Sequence, residues 1–131
     1  RYQVISAKKK TARLISVKKK KATKLVVPAT VKICGITCKV TEVGANVMKG
    51  NDRLTKAALG KHVVTIGKRA FYGCKKLKTV EAKGKLKAIK SGAFKNTSKK
   101  LCIWAKKLTK KQKRELLRKL RKSGNKKGTV K

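Results

Sequence analysis

Apolar residues recur at a fixed distance of 23 positions through the middle of the chain. The repeated columns are Val40, Val63 and Leu86; Val43, Ile66 and Ile89; Met48, Phe71 and Phe94; Ala57, Val80 and Ile103; and Leu59, Ala82 and Ala105. A period in the twenties is typical of a solenoid, in which one strand, one turn and one short helical segment stack on a like neighbour. The pattern therefore predicts a short α/β solenoid of about four rungs whose strands form one parallel sheet.

Each repeat divides into a turn and a strand. Short helical turns are expected around 46–49, 68–72 and 92–95, and the large apolar residue in each turn is expected to join one buried column. In the strands that follow, alternation sends every second side chain away from the core. The outward residues are Lys56 and Ala58, Thr79 and Glu81, and Cys102 and Trp104.

The N-terminal segment carries shorter strand-like patterns. Strands at 2–7 and 12–17 are predicted to pair as a hairpin that caps the open end of the stack. A solvated lysine loop at 18–21 follows, and the next strand, 24–27, ends at Pro28, which cannot donate a backbone hydrogen bond to a sheet.

The segment 29–39 contains an insertion relative to the regular repeat, and we predict that it forms a second hairpin. A two-residue turn at Cys34 and Gly35 puts the apolar side chains on one face, and Gly35 supplies the positive φ that such turns need. The paired positions in this register are Ile33 with Ile36 and Val31 with Cys38.

A helix pattern occupies 110–122, and this helix is expected to close the last rung. Thr109 and Gln112 form a capping box at its start, and Gly124 is a typical C-terminal stop. Its apolar stripe is narrow and consists of Leu116, Leu117 and Leu120. The polar tail at 125–131 is expected to fray.

We predict a single domain, 1–131. Its parts are the N-terminal hairpin and first strand (1–28), the inserted hairpin (29–39), three 23-residue repeats (40–105), the capping helix (106–124) and the tail (125–131).

The string IGKRAFYGCKKLKTVEA, echoed as IKSGAFKNTSKKLCIWA, resembles the leucine-rich repeats of the BspA-like class. The resemblance implies a right-handed leucine-rich-repeat solenoid with parallel strands, a hairpin cap and a helix cap. The opening hairpin, the PATVKICGITCKV segment and the lysine-rich helix also resemble the C-terminal regions of cell-surface proteins from gut-dwelling Firmicutes. This second resemblance implies a surface-exposed, adhesive protein of which this chain is a fragment.

The charge balance is extreme, because 41 Lys and Arg residues oppose four Asp and Glu, for a net charge of +37. Such a surface attracts polyanions. Lysine outnumbers arginine, and lysine lacks the planar fork that pairs bidentately with carboxylates or phosphates. We therefore expect diffuse attraction of anions. The same composition would also result if proteins of this lineage are generally rich in lysine for solubility.

Catalytic and metal-binding patterns are missing from the sequence. The single histidine, His62, lies in a loop, and the carboxylates are scattered, so we predict a protein that is not an enzyme and uses no cofactor or metal. A zinc site built from CGITC and two distant cysteines lacks paired C-x-x-C knuckles. The four cysteines are expected to be free thiols, with Cys34 exposed in its turn.

Two candidate ligand-binding surfaces follow from these patterns. The first is the outward strand face: Lys56, Thr79, Glu81, Cys102 and Trp104. The second is the basic helix: Lys110, Lys111, Arg114, Arg118 and Arg121. Trp104 either binds a ligand or packs under the helix or the lysine stems. The helix either caps the last rung or lies on an anionic membrane, and the same leucines cannot do both.

Three functions fit these patterns, and the family resemblance favours the first of them over nucleic-acid binding. The first is an extracellular or cell-wall adhesion module that attracts anionic polymers, such as wall teichoic acid, acidic glycans or host matrix, with protein as another partner. The second is non-specific nucleic-acid binding, for which no fingerprint is present. The third is an architectural spacer near the wall. No apolar stretch approaches a membrane span, and no signal peptide is recognised, so a secreted parent protein would be longer than this chain.

Overall fold

The computed structural model describes residues 2–17 and 21–131, so most of the predicted loop at 18–21 and Arg1 lie outside the described residues. The strands are β1 (Tyr2–Ser6), β2 (Thr11–Leu14), β3 (Lys24–Val27), β4 (Thr30–Ile33), β5 (Ile36–Val43), β6 (Lys56–Leu59), β7 (Thr65–Ile66), β8 (Thr79–Ala82), β9 (Ala88–Ile89), β10 (Cys102–Trp104) and β11 (Thr129–Val130). One α-helix is described, α1 (Lys110–Lys122).

The solenoid carries two sheets, so the expectation of one parallel sheet is wrong. The first sheet has the order β1-β2-β5-β7-β9, with β4 beside β5, and the second has the order β11-β10-β8-β6-β3. All pairings are parallel except those of the two hairpins. The chain alternates between the sheets, because the apolar segment that opens each repeat also pairs with its counterpart in the next rung.

The segments predicted as short helical turns are runs of turns instead. Arg69 and Asn46, 23 positions apart, have φ of 55° and 60°, and Gly92 follows in the same column with 70°. The N–H groups that a helix would use internally donate to the next rung: Met48 N to Ala70 O over 2.8 Å and Phe71 N to Ala93 O over 2.9 Å. The turns therefore stack as a third ladder of hydrogen bonds.

The predicted internal column is confirmed. Met48, Phe71 and Phe94 are all at most 2 % exposed. The rings of Phe71 and Phe94 stack with centroids 5.4 Å apart and planes 14° apart. Burial of a large apolar side chain of this kind contributes roughly 1.5–3 kcal/mol, so this column is a main source of cohesion between rungs.

Both predicted hairpins are present. The N-terminal pair β1 and β2 places β2 alongside β5, and Leu14 is 3 % exposed. In the inserted hairpin the turn residues Cys34 and Gly35 have φ of 51° and 79°, and the predicted register is observed. Its apolar face is only partly covered, since Cys38 is 2 % exposed whereas Ile36, next to the turn, is 48 % exposed.

The C-terminal helix has the predicted capping box. The Thr109 hydroxyl accepts from the Gln112 N–H over 3.2 Å, and the Gln112 side chain accepts from the Thr109 N–H over 3.0 Å. Leu116 and Leu120 are buried against the last rung, whereas Leu117 is partly buried. These two leucines serve the cap and are unavailable to a membrane.

The tail is ordered, and the expectation that it frays is wrong. Residues Thr129–Val130 form β11 and extend the second sheet beside β10. Asn125, 5 % exposed, holds the connection: its amide donates to the Thr97 hydroxyl over 2.7 Å and accepts from the Gly128 N–H over 2.7 Å. A single buried side chain thus fixes the approach of the tail to the last rung.

Candidate functional site

The outward side of the second sheet, here called the strand face, brings the five predicted strand residues together. Parallel register places Lys56, Thr79 and Cys102 in one row across β6, β8 and β10. Glu81 and Trp104 lie in the adjacent row. This placement follows from alternation, since the residues between them point into the core.

A groove of about 480 Å³ opens on the strand face. Its lining residues are Lys56, Thr79, Glu81, Ala82, Lys83, Trp104, Lys106 and Lys107. Trp104, the one large aromatic side chain there, is 39 % exposed. The groove therefore combines an accessible aromatic surface with several ammonium groups.

Charged groups frame the indole ring. The Nζ of Lys131, which follows β11, lies 5.4 Å from the centroid of the Trp104 ring. The Nζ of Lys56 lies 3.4 Å from the Glu81 carboxylate. Trp104 is thus contacted by a lysine and remains partly exposed, and its role in binding a ligand stays a prediction.

Three groove lysines, Lys83, Lys106 and Lys107, were absent from the sequence prediction. They follow the ends of β8 and β10, beyond the alternating segments used to assign the face. A signal was present, because Lys83 and Lys106 are 23 positions apart and extend the repeat by one column.

The five predicted residues of the basic helix are all exposed, but the structure divides them. A second, shallow groove of about 790 Å³ is lined by Arg114, Leu117, Arg118, Arg121, Lys122 and Lys126. Lys111 lines a different groove, beside Leu86. The arginines therefore share one surface that the first-turn lysines do not.

The cysteines are free thiols in different surroundings. Cys34 is exposed, Cys102 is half-buried on the strand face, and Cys38 and Cys74 are buried. Burial raises the pKa of the Cys74 thiol to about 12, and its sulfur lies 3.1 Å from the Met48 carbonyl oxygen. Within residues 2–17 and 21–131, no three His, Cys, Asp or Glu side chains cluster in a way that could hold a metal ion.

The single histidine, His62, lies between two lysines of the surface. Partial burial, followed by the charges of Lys39 and Lys61, lowers its pKa below the ordinary histidine value.

In the described part of the chain, no helix has the length and apolar character needed to cross a bilayer.

Comparisons with known proteins agree with the fold. The model of the BspA type leucine rich repeat region matches residues 21–116 in six copies. A leucine rich cell surface protein from Faecalibacterium prausnitzii A2-165 matches with 26% identity and a TM-score of 0.68, covering 78% of this chain and 28% of that one.

A leucine-rich repeat protein from Bacteroides ovatus ATCC 8483 has the same fold, with 18% identity, a TM-score of 0.54, and coverage of 79% of this chain and 35% of that one. No curated protein matches the chain. The chain thus spans about a third or less of the length of the solved structures it resembles.

Proposed function

Because the chain belongs to the BspA-type leucine-rich-repeat family, we propose that it is a non-enzymatic binding module that attracts anionic polymers to a bacterial surface protein. The family suggests a protein-binding or adhesive role. The Faecalibacterium protein is described as a leucine rich cell surface protein. An extracellular or wall-associated location for the whole protein is part of the proposal.

The charge distribution supports an anionic partner. Every carboxylate side chain of the sequence already pairs with a basic residue: the pairs are Arg13 with Glu42, Lys21 with Asp52, Lys56 with Glu81 and Arg118 with Glu115. The remaining basic side chains give the net charge of +37. They produce a long-range attraction for polyanions, which salt screens.

The strand-face groove is the observation that carries the proposal. Exposed Trp104 offers a ring on which a sugar or another flat group can stack, and Lys83, Lys106 and Lys107 surround it with positive charge. Acidic glycans present both features, a ring face and a negative group. Nucleic acid is the competing ligand class, but it usually binds through several stacking aromatics, and this groove has one.

Titrations at several salt concentrations test the proposal. Heparin, teichoic acid and DNA should all bind at low salt, and their affinities should fall in parallel between about 50 and 200 mM salt as counterion release weakens. A wild-type chain that bound none of them at about 50 mM salt would contradict the proposal.

Trp104→Ala separates stacking from diffuse attraction. For a glycan that stacks on the ring, this variant should bind more weakly than wild type even where salt has screened the lysines. Val26→Ala is the matched control, because Val26 is a 70 % exposed apolar residue of the same sheet that does not line the groove. If the two substitutions weakened binding equally, Trp104 would not be part of the binding site.

A further inference from the structure

Arginine is distributed unevenly in this chain. The sequence contains 34 lysines and seven arginines, and three of the seven occur within eight positions of α1. Arg114, Arg118 and Arg121 are separated by four and three positions, so they share one face of the helix. These three residues are called the arginine stripe below.

The arginine stripe faces away from the core. Leu116 and Leu120, which are at most 1 % exposed, fix the inward side of the helix. All three stripe residues are exposed and line the groove that also contains Leu117. Their Cα atoms are separated along the helix axis by about 6 and 4.5 Å, so the stripe extends over roughly 10 Å.

We propose that the arginine stripe is a subsite that holds successive phosphates of a polyol phosphodiester polymer through bidentate guanidinium–phosphate hydrogen bonds. The inference rests on the proposed function and specifies one polymer class for it. Lysine attracts a phosphate as a point charge, whereas the planar fork of arginine matches two of its oxygens. In a surface dominated by lysine, the stripe is therefore where oxyanion geometry is recognised.

The groove favours a polyol polymer over nucleic acid. Its lining residues include no aromatic ring on which a base could stack, and its apolar member, Leu117, is aliphatic. Base stacking supplies a large part of single-strand binding. A flexible polyol chain needs only phosphate contacts and an aliphatic surface, and it can adapt to the unequal spacing of the arginines.

One carboxylate competes with the polymer. The Glu115 side chain accepts from the Arg118 guanidinium over 2.7 Å. The other three carboxylates pair with Arg13, Lys21 and Lys56, so Arg114 and Arg121 are the stripe members with unshared forks. Glu115→Gln should release the Arg118 fork and tighten polymer binding.

A charge-conserving substitution tests the proposal. We expect Arg114→Lys/Arg121→Lys to bind poly(glycerol phosphate) about tenfold more weakly than wild type at about 200 mM salt, where diffuse attraction is screened. The matched control is Arg13→Lys/Arg53→Lys, which changes two arginines that line neither groove of the helix and should leave the affinity unchanged. Circular dichroism and thermal melting verify that both variants stay folded.

The other outcomes separate the two proposals. If wild type and both variants bind alike, the arginine stripe is not a recognition site, while the proposed polyanion binding stands. If wild type fails to bind poly(glycerol phosphate), heparin and DNA even at about 50 mM salt, the proposed function itself fails. If the helix variant loses DNA or heparin affinity as strongly as poly(glycerol phosphate) affinity, the assignment to a polyol phosphodiester is overturned.

Discussion

Replacing Phe71 with alanine should cause the largest loss of stability of any single substitution in the turn column. The ring is fully buried and stacks on Phe94 at 5.4 Å. Removing a buried Phe side chain costs about 3–5 kcal/mol through lost transfer energy and the cavity left behind. Of this loss, roughly 0.5–1.5 kcal/mol comes from the stacking of the two rings, in addition to the burial of their apolar area. For a domain of this size, such a loss lowers the melting temperature by roughly 10–20 °C.

Thermal melts followed by circular dichroism measure the effect. Phe71→Leu should lose less, because it keeps most of the buried volume and forfeits mainly the stacking. Lys78→Ala is the surface control, since Lys78 is exposed, and it should change the free energy of unfolding by less than about 0.5 kcal/mol. A Phe71→Ala chain that melted like wild type, together with a Lys78→Ala chain that unfolded, would refute the assignment of the internal column.

Three further predictions concern single sites. In alkylation followed by mass spectrometry at neutral pH, Cys34 should react first and Cys74 last, because Cys74 is buried and its pKa is raised to about 12; the reverse order would contradict the burial assignments. Gly67→Ala should destabilise the fold in a thermal melt more than Gly35→Ala. A Cβ at Gly67 would lie 2.7 Å from the Val43 carbonyl oxygen, so backbone would have to move, whereas a Cβ at Gly35 meets open space and alanine is opposed there only by the strain of a φ of 79°. In an NMR titration, the midpoint of His62 should lie below the ordinary histidine pKa. As the pH falls through the ordinary value, the unfolded chain takes up this proton before the folded chain does, so the stability decreases slightly on acidification. A raised midpoint would contradict this sign.

The parts of the fold that could be predicted are those with long periodic patterns. The 23-residue period fixed the buried columns because every rung places equivalent side chains in equivalent surroundings. The register of the inserted hairpin was predictable because Gly35 marks a two-residue turn and a one-residue slip would reverse its faces.

The parallel pairings of the first sheet and the stacked turns were missed for local reasons. Strands such as Thr65–Ile66 have two residues, too few to display alternation. The turns depend on positive φ at Arg69, a conformation that a non-glycine residue rarely signals in sequence. The strand Thr129–Val130 depends on the buried amide of Asn125, which reads as an ordinary loop residue.

The candidate surfaces were predictable to a similar extent. Alternation placed Glu81 and Trp104 on one face, but it could not reach the lysines that follow the strand ends. Helical spacing places Arg114, Arg118 and Arg121 on one face, but only the structure separates their groove from Lys111. Whether either surface binds a polymer stays a prediction.

The stacked turns have a mechanical consequence. Neighbouring rungs are joined along three sides, by the first sheet, the second sheet and the turn ladder, in which Gly73 N donates to Lys95 O over 2.9 Å. A force that pulls the ends of the solenoid apart therefore loads all three sides at once, and it cannot separate two rungs along one side while the other sides stay bonded. A module attached to a polymer at one end would therefore resist bending under shear flow, and it would yield by detaching whole rungs.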